Sequence, residues 1–305
     1  RKSTCGIMSD NPMRFVSENK VMKSKGTVLI IGGAEDRGNE KKAMQERNKE
    51  FEHFEILKEI LPLNKGKGGI EIITTASGMP DQMREMYRKA FKKIGFTDIG
   101  FMDITHKPEA RNQEFADRVN KSHAVFFSGG DQFKLAATLG GTPMVDVIRH
   151  KYHHDKDFVV AGTSAGAMAL SKIMIYEGGV EEAILKDDLK ITSGLGIFDT
   201  CIIDTHFIKR GRFGRLAHAI IMNPESLGIG LGEDTALVIK QGEEAQCSGS
   251  GMVVIIDGNE ITQTNITEVD NGMPVYAEGL KVHLLAKGNK FSIGKRRMIV
   301  HKQEG

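Results

Sequence analysis

The sequence predicts an α/β fold: a mostly parallel sheet covered on both faces by helices. Three observations predict it. Short β-branched runs alternate with segments of helical apolar spacing, glycines cluster where the short runs end, and one run leads directly into a G-x-S-x-G turn. Strands alternating with helices imply βαβ units, and their crossovers favour parallel pairing.

The elements follow in order. Residues 1–25 are polar and irregular and read as an arm ahead of a single α/β domain over 26–305. Thr27 to Ile31 is a β-branched run closed by Gly32-Gly33, the pattern of a buried strand. Phe51, Phe54, Leu57, Ile60 and Leu61 fall at helical spacing within a charged stretch, so a helix is expected from about Glu40 to Leu61. Gly69 to Thr75 reads as a strand, Asp81 to Ile94 as a helix and Asp98 to Met102 as a strand. A helix over Glu114 to Asn120 precedes a strand at Ala124 to Phe127 that ends in Ser128-Gly129-Gly130. Phe133 to Leu139 and Met144 to Arg149 read as helices, with His150, His153 and His154 in a solvated, Lys-rich loop. Phe158 to Ala161 is a strand, and Val253 to Ile256 and Lys281 to Leu285 are later strands near a C-terminal edge.

Composition narrows the function. Hydrophobic residues are 40% and charged residues 27% of the chain, which suits an ordinary folded core. A net charge of +2 offers no electrostatic footprint for nucleic acid. No apolar run is long enough to span a bilayer, so no membrane partner is expected. Cys5, Cys201 and Cys247, odd in number and widely spaced, form neither a disulfide framework nor a metal cluster. A reducing, cytoplasmic location is the expectation, with a secreted form left open by a chain that begins at Arg1.

The chemistry concentrates in FVVAGTSAGAMAL, from Phe158. A buried strand meets G-x-S-x-G and then small residues suited to a helix, the nucleophile-elbow pattern. Such a turn projects Ser164 from the sheet edge and aims the Ala165 N–H at the same point, where an oxyanion can be held. A serine hydroxyl needs a base. Among 10 histidines, His206 stands out because it follows the apolar run Cys201-Ile202-Ile203, where a strand ends. A third group must orient the imidazole, and GIGLGEDTALV from Gly228 offers both Glu233 and Asp234 between apolar runs. Physics alone leaves these two acids open.

Five segments in order resemble the cyanophycinase family, serine peptidases grouped with peptidase E: LIIGGAEDR from Leu29, FFSGGDQ from Phe126, GTSAGAMAL from Gly162, DTHFIKRGRFGRL from Asp204 and GIGLGEDTALVI from Gly228. The resemblance implies a three-layer sandwich like that of class I glutamine amidotransferases. It implies a Ser-His-Glu triad that maps onto Ser164, His206 and Glu233. Gly130 would join Ala165 in the oxyanion hole, and Gln132 would line the substrate pocket. Asp204, Arg210, Arg212 and Arg215 match positions associated with an aspartyl-arginine substrate. Thr205 stands where the family pattern often has Gln, which loosens the substrate assignment. The implied reaction is exopeptidase cleavage of cyanophycin, an aspartate polymer bearing arginines, to β-Asp-Arg dipeptides. A homodimer with no cofactor and no metal is implied. The alternatives are an isoaspartyl dipeptidase or ester hydrolase, a glutamine amidotransferase-like enzyme, which would need a cysteine where Ser164 stands, and a non-catalytic binding protein on the same fold.

Overall fold

Two-residue alternation builds the central layer. The computed structural model describes residues 24–38, 51–62, 68–179 and 183–300. Strands β1 (Thr27–Ile31), β2 (Ile70–Ile73), β3 (Ile99–Met102), β4 (Ala124–Phe127) and β5 (Val159–Thr163) lie parallel in the order β1-β5-β4-β2-β3. The chain continues through a hairpin of β6 (Ile173–Glu177) and β7 (Lys190–Ser193), then β8 (Cys201–Asp204) and β9 (Leu227–Leu231). Next come β10 (Thr235–Lys240), β11 (Glu244–Gly249), β12 (Val253–Asp257) and the small pair β13 (Gln263–Thr264) and β14 (Ala277–Glu278). The last strands are β15 (Lys281–Leu285), β16 (Lys290–Ser292) and β17 (Arg297–Ile299). Antiparallel β10, β11, β16 and β17 extend the central sheet beyond β1. A second sheet has the order β15-β12-β9-β8. The late strands expected at Val253 and Lys281 therefore form, but in that second sheet.

Helices α1 (Glu55–Lys58), α2 (Pro80–Ile94), α3 (Gln113–Lys121), α4 (Gln132–Leu139), α5 (Pro143–His154) and α6 (Ala165–Met168) accompany the central sheet, and α7 (Phe213–Met222) packs on β8, β9 and β12 of the second. Alternate side chains of β1 enter different cores. Leu29 and Ile31 pack with Leu57, Tyr87 and Phe91 of α1 and α2. Val28 and Ile30 join the core that holds Leu139, Ile148, Ile203 and Ile229. Burial on both faces is what a continuously apolar parallel strand requires.

Two expectations differ in detail. Of the helix expected over 40–61, only Glu55–Lys58 is helical among the described residues, and residues 39–50 lie outside them, as do residues 1–23 of the expected arm. His150, His153 and His154 are not in a loop but complete α5. Pro143 opens that helix, and buried Met144, Val145, Ile148 and Tyr152 carry its apolar stripe through the histidines.

Topology brings five loops to one edge. The parallel strands end at Ile31, Ile73, Met102, Phe127 and Thr163, the edge where open α/β sheets place their sites. β10 runs antiparallel to β1 with Ala236 opposite Ile31, so the turn before β10 meets the same edge. β8 and β9 are parallel, with Asp204 opposite Gly230, and deliver their C-terminal ends there as well.

Candidate active site

Ser164 sits at the turn between β5 and α6 with φ 52° and ψ −121°, outside the ordinary regions for a residue with a side chain. The flanking glycines make that turn possible. A Cβ on Gly162 would lie 2.6 Å from the backbone of Gly166, and one on Gly166 would lie 2.2 Å from the Phe127 carbonyl oxygen. Backbone strain of this kind costs on the order of 1–3 kcal/mol per residue and persists only where the surroundings enforce it. His206 (φ 49°) and Asp234 (φ 48°) also have positive φ, so each of the three converging turns is strained.

The side chains form a continuous chain of hydrogen bonds. Ser164 Oγ is 3.0 Å from His206 Nε2, and His206 Nδ1 is 2.8 Å from Glu233 Oε1. Lys209, which sequence reasoning missed, donates to Glu233 Oε2 at 3.0 Å and Oε1 at 3.2 Å. Burial pushes the Glu233 carboxyl up, but the hydrogen bonds from His206 and Lys209 and their charges outweigh it and hold it below the usual glutamate range. The backbone N–H groups of Ala165 and Gly130 have no partner among the described residues. Gly129, next to Gly130, lies against Ser164: a Cβ there would be 3.3 Å from Ser164 Cβ.

The two acids left open by the sequence separate in space. Asp234 points away from His206, accepting from the Asp36 N–H at 3.0 Å and from Ser250 Oγ at 2.5 Å. Its carboxyl is raised, chiefly by burial, against the pull of those two hydrogen bonds. Glu233 reaches the imidazole and Asp234 ties loops together.

The residues expected to recognise charged substrate divide. Asp204 is 0% exposed. Arg215 donates to both of its oxygens, Nε at 2.6 Å and Nη2 at 2.5 Å. Arg212 adds a bond to Asp204 at 3.2 Å and another to the Thr205 carbonyl at 2.7 Å. Thr205 is itself buried, and its hydroxyl has no partner. The structure thus brings Asp204, Thr205, Arg212 and Arg215 together. They form an internal cluster, because a carboxylate on a fully buried strand end needs its countercharge close at hand. Arg210 is exposed, on the turn before α7. Gln132 opens α4, and its amide nitrogen donates to the Ile175 and Tyr176 carbonyls at 3.2 and 3.4 Å, which joins α4 to the β6–β7 hairpin. No cluster of metal-ligating side chains occurs among the described residues, and Cys201 and Cys247 are buried with thiols pushed up to about 12 by burial.

A parallel sheet that presents a serine on a strained strand-to-helix turn, with an imidazole and a carboxylate in line behind it, has the architecture of a serine-type peptidase. The chain belongs to peptidase family S51, whose sequence pattern matches residues 42–247. It is 31% identical over 282 residues to the cyanophycinase of Synechococcus elongatus, covering 91% of this chain and 82% of that one. The cyanophycinase of Trichormus variabilis is 32% identical over 277 residues, covering 90% and 88% of the two chains. Two solved structures share the fold. A peptidase from an acI-B1 Actinobacterium matches with a TM-score of 0.60 at 24% identity, over 89% of this chain and 98% of that one. A putative peptidase E from Listeria monocytogenes matches with a TM-score of 0.50 at 15% identity, over 74% and 99%.

Proposed function

We propose that Ser164, His206 and Glu233 are a catalytic triad that hydrolyses peptide bonds of cyanophycin, releasing β-Asp-Arg dipeptides. The single observation that carries this reading is the unbroken 3.0 Å and 2.8 Å chain from Ser164 Oγ through the imidazole to Glu233. In this reading His206 Nε2 accepts the hydroxyl proton as Ser164 Oγ attacks the carbonyl carbon. Glu233 holds Nδ1–H and stabilises the imidazolium. The negative oxygen of the tetrahedral intermediate lies against the Ala165 and Gly130 N–H groups. The imidazolium then protonates the departing amine, and water hydrolyses the acyl-enzyme by the same steps in reverse roles. Likeness to the named cyanophycinases supports the choice of substrate. Of the three arginines expected to meet the substrate's carboxylates, exposed Arg210 is the one left for that role, with Gln132 as a neutral pocket group.

A second reading, an isoaspartyl dipeptidase or ester hydrolase, is favoured by one observation: Asp204, Arg212 and Arg215 are spent on one another. Fewer charges then face the substrate than a pocket dedicated to the polymer would use. Digestion of purified cyanophycin, with mass analysis of the products, separates the two. Release of β-Asp-Arg dipeptides is expected. An intact polymer alongside cleaved isoaspartyl dipeptides or nitrophenyl esters would replace the first reading with the second.

A further inference from the structure

The segment Ile31 to Asp36, conspicuous in the sequence as GGAED after a strand, contacts every loop of the triad. Three consecutive carbonyls each accept from a different turn. Ile31 accepts from the Ser164 N–H at 3.0 Å, Gly32 from the His206 N–H at 2.9 Å and Gly33 from the Asp234 N–H at 2.9 Å. Gly33, at φ 95°, also lies under the imidazole: a Cβ there would be 2.5 Å from His206 Cε1 and Nε2. The remaining link is made by a side chain. Glu35 is 3% exposed, and its carboxylate accepts from Thr163 Oγ1 at 2.6 Å and from the Tyr87 hydroxyl at 2.7 Å. Thr163 is the last residue of β5, immediately before the strained Ser164.

We propose that Glu35, through Thr163, is a positioning residue that locks the nucleophile turn onto the bracket of carbonyls holding His206 and the Glu233–Asp234 turn. The inference rests on Ser164 being the nucleophile. Backbone bonds at Ile31, Gly32 and Gly33 tie the three turns to one segment, and the Ser164 turn reaches that segment through one of them, because the Ser164 carbonyl accepts within its own turn, from the Ala167 and Met168 N–H groups. The buried carboxylate adds a second point of attachment one residue away, and two points fix an orientation. Catalysis is sensitive to such placement, since a shift of about 1 Å at reacting atoms can cost about a hundredfold in rate.

The test compares Thr163→Val, Thr163→Ser and Glu35→Gln with the wild type, measuring kcat and KM on the cleaved substrate, the rate of fluorophosphonate labelling at Ser164, and Tm. Thr163→Val is nearly isosteric and removes only the hydroxyl. It is expected to lower kcat and the labelling rate together by roughly tenfold to a hundredfold with KM little changed. Thr163→Ser, which restores the donor, is expected to recover most of the rate. Glu35→Gln, with one acceptor oxygen left, should fall between. If Thr163→Val and Glu35→Gln fold, melt lower and still keep the wild-type kcat and labelling rate, the clamp is merely structural and the proposal fails. Absence of labelling in the wild type overturns the nucleophile reading, and this inference with it.

Discussion

Two polar clusters lie on either side of the strand end at Asp204-Thr205-His206, and they are built on opposite principles. Asp204, Arg212 and Arg215 form a closed group: a fully buried carboxylate saturated by two guanidiniums and the Thr205 N–H. Ser164, His206 and Glu233 form an open chain with single bonds, partial exposure and strained turns. A buried carboxylate with both oxygens taken has little capacity left to bind or transfer anything. A chain with one hydrogen bond per link leaves its end groups with capacity to spare, as the proposed triad requires. The lesson is that charge near a site says little about its role, whereas spare hydrogen-bonding capacity says a great deal.

The comparison is broken most severely at Ser164. Ser164→Ala is expected to lower kcat by about 10⁴- to 10⁶-fold while leaving Tm unchanged. Activity near the wild-type level, measured on any cleaved substrate, would remove the basis for calling the chain reactive. On the closed side the pattern inverts. Arg215→Leu leaves the buried carboxylate with only Arg212 and the Thr205 N–H and is expected to cost about 1.5–3 kcal/mol of stability in denaturant titration, the worth of a charged hydrogen bond. The protein that remains folded should lose polymer and ester turnover in equal proportion. A selective loss of polymer turnover would instead return Arg215 to the substrate pocket.

The neighbouring acids sharpen the contrast within two residues. Glu233→Gln keeps a partner for the imidazole but removes the charge that stabilises its protonated form, so a loss in kcat of about 10²- to 10⁴-fold is expected. Asp234→Asn should act on stability instead, by about 1–3 kcal/mol, because a buried acceptor for Ser250 and Asp36 is compromised. An inactive Asp234→Asn protein of unchanged Tm, beside an active Glu233→Gln protein, would exchange their roles.

The α/β class and the five parallel strands were legible because their determinants are local: β-branched runs, glycine stops and helical spacing. The tight turn at Ser164 was legible for the same reason, since Gly162, Ser164 and Gly166 fall within a single turn. Pairing partners were not. Whether Arg215 faces solvent or Asp204 depends on the docking of α7 beside β8, a non-local fact. Glu233 and Asp234 are equivalent in sequence until the turn at Asp234 sends adjacent side chains in opposite directions. Lys209 had no signal except its position three residues after His206, and Glu35 had only its place in a glycine-closed acidic segment. The sorting of Val253–Asp257 and Lys281–Leu285 into a second sheet likewise rests on pairing with Leu227–Leu231, which strand periodicity does not encode.

The smallest expected effect lies where the open chain meets solvent. Lys209 is 70% exposed and shares the Glu233 carboxylate with His206. While that ammonium is in place, part of the carboxylate's charge is neutralised and less is available to the imidazolium. Lys209→Met removes that competitor for the carboxylate. Exposed pairs of this kind contribute about 0.2–1 kcal/mol, so the change in kcat should be at most about fivefold. The same substitution lets the Glu233 carboxyl rise toward its ordinary range, because one of the groups holding it down is gone. A depressed carboxyl stabilises the fold at pH values above its unfolded range and loses that contribution as pH falls through its folded value. The variant should accordingly give up a little stability near neutrality and lose less on acidification. Added salt screens an exposed ammonium and should bring the wild-type stability toward that of the variant. Tm recorded against pH in low and high salt decides the matter: coincident curves for wild type and variant in low salt would mean that Lys209 lies beside the chain without being part of it.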